Sequence, residues 1–257
     1  MPKVSILLPT YNRPELLPRA IRSVWSQQYK DWELLVINDG GSEVGHVVEH
    51  FKDNRIRYFS IPHGDKSRAL NFGIEQAQGA YIAYIDDDDR WYPEHLEATA
   101  RFLDLNESFI GVYADAVPVK VVGGKRKHRA PGPKHSRNYD PNLLLTRNYI
   151  PHLCLVHRIE IFEKTGLYDP DLRVLIDWDM MSRFALAGLL LKHLAVITAE
   201  YYIKHNAQDN HIHKSHKSSA MQSNRKLYRS CHKRVKNRIA GYLQRGVDPY
   251  GCMPPKE

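Results

Sequence analysis

The feature that most constrains this chain is a rhythm in residues 3–85, where short apolar runs alternate with helical stripes and each run stops in polar residues. Val4-Ser5-Ile6-Leu7-Leu8 reads as a buried strand ending at Pro9. Residues 13–28 then read as a helix with Leu16, Leu17, Ala20, Val24 and Trp25 on one face. Strands are predicted at 32–37, 56–60 and 80–85, and helices at 44–51 and 67–78, with Gly79 placed as a C-cap. Strands that alternate with helices pair in parallel, because each helix carries the chain back to the same end of the sheet. The expectation is an α/β fold, a mostly parallel sheet with helices on both faces.

The rest of the chain is less regular. Residues 109–122 look like strand or hairpin material, and 123–137, rich in Gly, Pro and basic residues, read as a loop able to order over a bound ligand. A helix is expected at 178–187, strand-like material at 189–197 and after 199, and a long helix at 218–244. In that last helix Leu227, Cys231, Val235, Ile239 and Leu243 form a stripe one residue wide. No acidic residue stands between Asp209 and Asp248, and this accounts for much of the net charge of +8. Such a helix can dock its stripe on the protein, or lie on an anionic membrane surface with weak, salt-sensitive affinity.

Composition sets the outer limits. With 257 residues and 42% hydrophobic content, the chain can bury a core as one large or two small domains. The apolar stretch at 184–191 falls well short of the ~20 residues of a membrane span. The N-terminal residues enter a strand at once, with no secretory pattern, and Cys154, Cys231 and Cys252 cannot all pair with one another. The expected setting is therefore cytoplasmic, peripheral at the inner membrane face if the basic helix meets lipid.

Parallel sheets bind ligands at the carboxyl ends of their strands. Four ends carry chemistry here. Pro9-Thr10-Tyr11-Asn12-Arg13 offers a hydroxyl and a ring for a nucleobase, Asp39 can accept from a base or ribose, and Arg68 can approach a diphosphate. The fourth end is Asp86-Asp87-Asp88-Asp89, directly after an apolar strand. Four adjacent carboxylates repel one another unless a cation sits among them, and hard divalent ions such as Mn²⁺ and Mg²⁺ favour carboxylate oxygens together with substrate phosphates. A solvated acidic loop, or for Asp89 the start of a helix beginning near Trp91, is the plainer reading. Among 14 histidines, His205, His211, His213 and His216 cluster after a strand-like run; His205 or His211 could complete a metal site, and His152 could approach an acceptor.

Taken in order, these segments resemble the family-2 glycosyltransferases with the GT-A fold. The resemblance lies in residues 4–13, in 33–40 ending at Asn38-Asp39-Gly40, in Arg68-Ala69-Leu70-Asn71-Phe72-Gly73-Ile74, in 79–89, in Gly166-Leu167-Tyr168-Asp169 and in Asp177-Trp178-Asp179. It implies a GT-A-like sheet flanked by helices, with a nucleotide-sugar-binding half at 1–115, a smaller acceptor-binding half at 116–214 and a basic helical tail at 215–257 outside the resemblance. It further implies an inverting transferase, of the kind found in polysaccharide biosynthesis, that moves a sugar from a nucleoside diphosphate, most naturally UDP, to a hydroxyl of a glycan or lipid-linked glycan. Pro9, Thr10, Tyr11, Arg13, Asp39, Arg68, Asp86 and Asp87 match donor-contacting positions, Asp88 the metal ligand, with His205 as a further ligand, and Asp177 the base, with Asp179 its rival. Ile176 stands where the usual pattern has an acid. The chemistry agrees: a divalent cation stabilises the departing diphosphate, and a carboxylate takes the acceptor's proton. The competing readings are a nucleotidyltransferase, which would need a Gly-rich, Lys-containing loop near the N-terminus, and a nucleic-acid- or glycan-binding protein without transferase activity.

Overall fold

The computed structural model describes residues 1–122, 125–128, 137–203 and 219–244. The first half follows the rhythm of the sequence: β1 (Val4–Thr10), α1 (Leu17–Trp25), β2 (Trp32–Asn38), α2 (Gly45–Glu49), β3 (Ile56–Ser60), α3 (Asp65–Gln76) and β4 (Tyr81–Tyr84). Then come β5 (Arg90–Trp91), α4 (His95–Leu105), β6 (Gly111–Val122), β7 (Lys125–His128), α5 (Pro141–Leu144), β8 (Leu155–Arg158), α6 (Ile161–Thr165), α7 (Ile176–Leu186), β9 (Leu191–Ile203) and α8 (Ser219–Gln244).

All strands join one sheet in the order β3-β2-β1-β4-β8-β6-β9-β5, with β7 paired to β6. The four strands β3-β2-β1-β4 are parallel, as expected. Beyond β4 the sheet becomes mixed: β8 runs antiparallel to β4 and β6, while β6 and β9 are parallel with a register shift around Asp115. Alternation along the strands builds a core on each face. Val4, Ile6, Leu8, Leu34, Val36 and Ala83 pack beneath α1, α2 and α4, whereas Leu7, Leu35, Ile37, Ile82 and Tyr84 pack beneath α3, α7 and α8.

Several local expectations are corrected. Helix α1 is shorter than 13–28, and Leu17, Ala20, Ile21 and Val24 make its buried stripe; Trp25 falls outside that stripe, 48% exposed, with its ring N–H donating to Asp53. Gly79 does not cap α3, which ends at Ala77 in extended conformation. Its missing side chain serves a close approach instead, since a Cβ there would lie 2.6 Å from the Ser5 backbone nitrogen. Trp91 belongs to β5, so the next helix starts only at His95, after Pro93. Part of the loop expected at 123–137 is strand β7, and 123–124 and 129–136 lie outside the described residues.

The long basic helix forms where the sequence placed it, and its stripe docks inward: Cys231, Val235 and Ile239 are buried in the core shared with α7, and Leu243 is left half exposed. Of the two uses open to the stripe, packing on the protein is the one observed. Among the described residues, no helix is long and apolar enough to cross a membrane.

Candidate active site

The carboxyl ends of β1, β2 and β4 lie side by side because the three strands are parallel neighbours in register. Each ends in polar residues, and these meet. Asp39 follows β2, is 4% exposed, and accepts from the Gly64 N–H at 2.8 Å and from His63 Nδ1 at 2.9 Å. The Tyr11 ring stacks on His63 at 4.4 Å between centroids and stays half exposed, leaving a face open to a planar group. Asn12, at φ 53°, turns the chain so that its side-chain oxygen accepts from the Ser42 N–H at 2.7 Å, closing the β1 loop onto the β2 loop. Gly41 is fixed by this contact, since a Cβ there would sit 2.7 Å from the Asn12 nitrogen. Pro9 stands one residue before the end of β1, and Arg68 is exposed on the first turn of α3 beside Gly64.

The four aspartates after β4 separate by role. Asp87 is 3% exposed and turns toward β1, accepting from Thr10 Oγ1 at 2.8 Å and from Arg13 at 3.0 Å. Burial, and then repulsion from Asp88, push its carboxyl up to about 6 against the pull of Arg13. Asp86, Asp88 and Asp89 instead converge, each offering a carboxylate oxygen within 4.8 Å of the others. Asp89 does not start a helix; it is 7% exposed at the head of β5 and accepts from the Tyr202 N–H at 3.2 Å. Burial, then Asp88 and Asp86, hold its carboxyl well above the usual range. Three convergent hard oxygen donors, whose repulsion Lys66 on Asp86 and Arg13 on Asp88 at 3.2 Å relieve only in part, fit a divalent cation, and Asp87, turned away, lies outside that set.

Two cations that the sequence reading missed hold this loop. Arg19 on α1 donates to the Asp88 carbonyl and stacks over the Tyr202 ring at 3.8 Å. Lys66, on the first turn of α3, pairs with Asp86. Burial disfavours the Lys66 charge, but Asp86, and then Asp177 and Asp89, outweigh it and raise its pKa. Lys66 therefore stands among acids from both halves of the chain. Nothing in the sequence beyond its place two residues before Arg68 marks Lys66; it is the fold of α3 that brings it to Asp86.

Asp177 lies in the first turn of α7, half buried, and its Oδ2 accepts from Asn148 Nδ2 at 2.8 Å. Burial raises its pKa, Lys66 and the nearby backbone N–H groups draw it down, and Asp86 pushes it up again. Asp179, the rival, faces the other way: it is 1% exposed and clamped by Arg183 at 3.2 Å and Arg238 at 2.5 and 2.6 Å. His152 stacks on Tyr84 at 4.1 Å and shares a 2.8 Å hydrogen bond with the Tyr168 hydroxyl; burial holds it neutral, with its pKa lowered to about 3. His205, His211, His213 and His216 lie outside the described residues.

Comparisons with known proteins bear on the family and the fold. Residues 5–165 match the family described as glycosyl transferase family 2. An uncharacterised glycosyltransferase of Rickettsia typhi is 28% identical over 80% of this chain and 65% of its own length. A Campylobacter jejuni protein named GalNAc(5)-diNAcBac-PP-undecaprenol beta-1,3-glucosyltransferase is 40% identical over 46% of this chain and 39% of its own. Among solved structures, S. aureus TarS in complex with UDP-GlcNAc superposes with a TM-score of 0.66 at 16% identity, over 79% of this chain and 59% of that one, which shows a shared GT-A fold. This chain thus spans less than two thirds of the length of each of these three proteins. With the matched region covering well over half of it, the chain belongs to glycosyl transferase family 2.

Proposed function

We propose that this protein is a metal-dependent, inverting glycosyltransferase that moves a sugar from a UDP-linked donor to a hydroxyl of a glycan or lipid-linked glycan. The observation that carries the reading is the convergence, at the carboxyl ends of the parallel strands, of a three-carboxylate seat (Asp86, Asp88, Asp89) with a separate half-buried carboxylate, Asp177, and with Lys66 among them.

In this reading the base lies against the open Tyr11 ring, with Pro9, Thr10 and Asp39 setting its edge and ribose contacts, and Asp87 orienting the ribose from its anchor on Thr10 and Arg13. Arg68 and Lys66 neutralise the diphosphate. Mn²⁺ or Mg²⁺ held by Asp88, with Asp86 and Asp89 beside it, would act as the Lewis acid that stabilises the leaving diphosphate. His205, outside the described residues, is proposed as a further ligand of that ion. Asp177, oriented by Asn148, takes the proton of the acceptor hydroxyl as it attacks, and its raised pKa suits a base. Attack from the face opposite the diphosphate inverts the anomeric centre in one displacement. Residues 1–115 then form the donor half, 116–214 the acceptor half, and 215–257 a tail that braces the second. The UDP-GlcNAc complex of TarS and the glucosyltransferase name of the C. jejuni relative support this donor and reaction class.

The test is UDP release from a panel of UDP-sugars, with Mn²⁺ and with chelator. Release should need the metal, collapse in Asp88→Ala, and fall by ~10²-fold in Asp177→Asn with UDP affinity kept. Undiminished turnover in excess chelator contradicts the metal assignment.

A further inference from the structure

The C-terminal helix α8 lies wholly beyond the matched region, yet it grips the segment that carries Asp177 from two sides. Arg238 donates through Nη1 to both Asp179 oxygens and through Nη2 to Asp169. Arg234 adds contacts to Asp169 at 3.0 Å and to Asp171 at 3.0 Å. Lys236 donates to the carbonyls of Leu145 and Thr146 at 3.1 and 3.2 Å, at the end of α5 and just before Asn148, the residue that holds Asp177. The segment is pinned on its far side by α3: Asn71 exchanges two hydrogen bonds with the Tyr168 backbone, Ser67 donates to the Leu172 carbonyl, and Asp65 pairs with Arg173 at 2.9 Å.

Between Asp169 and Asp179 the chain makes a strained turn. Leu175, the N-cap of α7, sits at φ 62°, a left-handed conformation that a branched side chain rarely adopts. Such a turn persists only where its surroundings over-determine it. Arg238 bridges the carboxylates on either side of it, and both are largely withdrawn from water, at 9% and 1% side-chain exposure. Their ionised form depends on these guanidinium partners.

We propose that Arg238, seconded by Arg234, is a positioning residue for the transfer: by tying Asp169 to Asp179 it locks the Leu175 turn and so fixes Asp177 against Lys66 and Asp86. The inference rests on the reading of Asp177 as the base. A carboxylate displaced by about 1 Å can lose one to two orders of magnitude in rate, while the nucleotide contacts on β1 and β2 stay untouched.

The experiment uses the full chain and compares wild type, Arg238→Ala, Arg238→Lys, Arg234→Ala, Asp177→Asn and the outward-facing control Lys226→Ala. UDP binding sites are counted by calorimetry with Mn²⁺, and UDP release from the best UDP-sugar is measured across pH. The expected result for Arg238→Ala is kcat per UDP-binding site down about 10-fold or more with unchanged UDP affinity and a displaced acid limb, partly restored in Arg238→Lys. Arg234→Ala should give a smaller loss of the same sign, which keeps the test open if Arg238→Ala does not fold. Full activity per binding site in Arg238→Ala, or, where that variant does not fold, in Arg234→Ala, overturns the proposal. Full activity in Asp177→Asn instead overturns the assignment of the base, and with it the footing of this inference.

Discussion

Replacing Asp89 by Asn should make the metal-free protein more stable and the metal-loaded protein less responsive, a reversal of sign that follows from the site. Asp89 is 7% exposed, its donor is the Tyr202 N–H, and the neighbouring acids Asp86 and Asp88 approach within 4.8 Å. At that separation each like-charge pair is worth roughly 3–4 kcal/mol before relaxation, with an effective dielectric constant near 20. Part of this is already relieved, by Lys66 on Asp86 and by the raised carboxyl of Asp89 itself. A net gain of about 1–2 kcal/mol in chelator remains, or roughly 2–8 °C in melting temperature for a chain of this size. The Asn oxygen can keep the Tyr202 N–H, so the substitution costs little elsewhere. In the wild type, Mn²⁺ at about 100 times its dissociation constant should add ~2.7 kcal/mol, an increment that Asp89→Asn largely abolishes. Asp87→Asn should keep the increment, because that carboxylate is spent on Thr10 and Arg13. Thermal melts with chelator and with an Mn²⁺ series decide it. A less stable metal-free Asp89→Asn with an undiminished Mn²⁺ increment would refute the reasoning.

Further outcomes are expected. Asp179→Asn should lower stability by ~3 kcal/mol or more, as for a broken buried pair, since it disarms Arg183 and Arg238, and should displace the acid limb of transfer in the same sense as Arg238→Ala because it cuts the same tie; urea titrations beside kinetics separate this from Asp177→Asn, which lowers kcat without that loss of stability. Gly41→Ala forces a Cβ to within 2.7 Å of the Asn12 backbone and should weaken UDP binding more than it lowers stability, read by calorimetry. Burial holds His95 and His152 at about 3 and His157 at about 4, below the unfolded value of ~6.5. Their contribution to stability is therefore complete above ~6.5 and lost as pH falls toward the folded values, at up to ~1.4 kcal/mol per pH unit for each proton taken up on unfolding. Asp87, raised to about 6, opposes them over part of that range. His95→Gln should flatten the acid limb of urea midpoint against pH; an unchanged slope would show that His95 is not held neutral. Anionic vesicles should bind the chain only weakly and lose it in high salt, because Cys231, Val235 and Ile239 are spent on the core; salt-resistant cosedimentation would contradict this.

The first half of the fold was legible because strands β1, β2 and β4 carry unbroken apolar runs and polar ends, and parallel connections leave few arrangements. The α8 stripe was legible for the same reason, a strong period over many residues. The mixed half was not: β5 and β8 are short, and what defines them is pairing with strands far along the chain, which local pattern cannot carry. The acidic cluster announced itself by charge at a strand end, but its division, with Asp87 turned to Thr10 and the other three converging, depends on side-chain direction. Lys66 escaped because a lone lysine in a helical turn gives no signal until α3 brings it to Asp86. The sequence favoured Asp177 over its rival Asp179 by resemblance alone; that Asp179 is bound by Arg238, from a helix some sixty positions on, was beyond its reach.

The most direct test of the central claim needs no acceptor. Calorimetric titration of UDP into the full chain, in Mn²⁺ and in chelator, for wild type and Asp88→Asn, measures the donor site alone. Wild type should bind UDP at least about 10-fold more tightly with Mn²⁺ than without, the equivalent of ~1.4 kcal/mol, and Asp88→Asn should bind equally weakly in both. UDP affinity that is the same in Mn²⁺ and chelator, or no binding of UDP in either, would contradict the account.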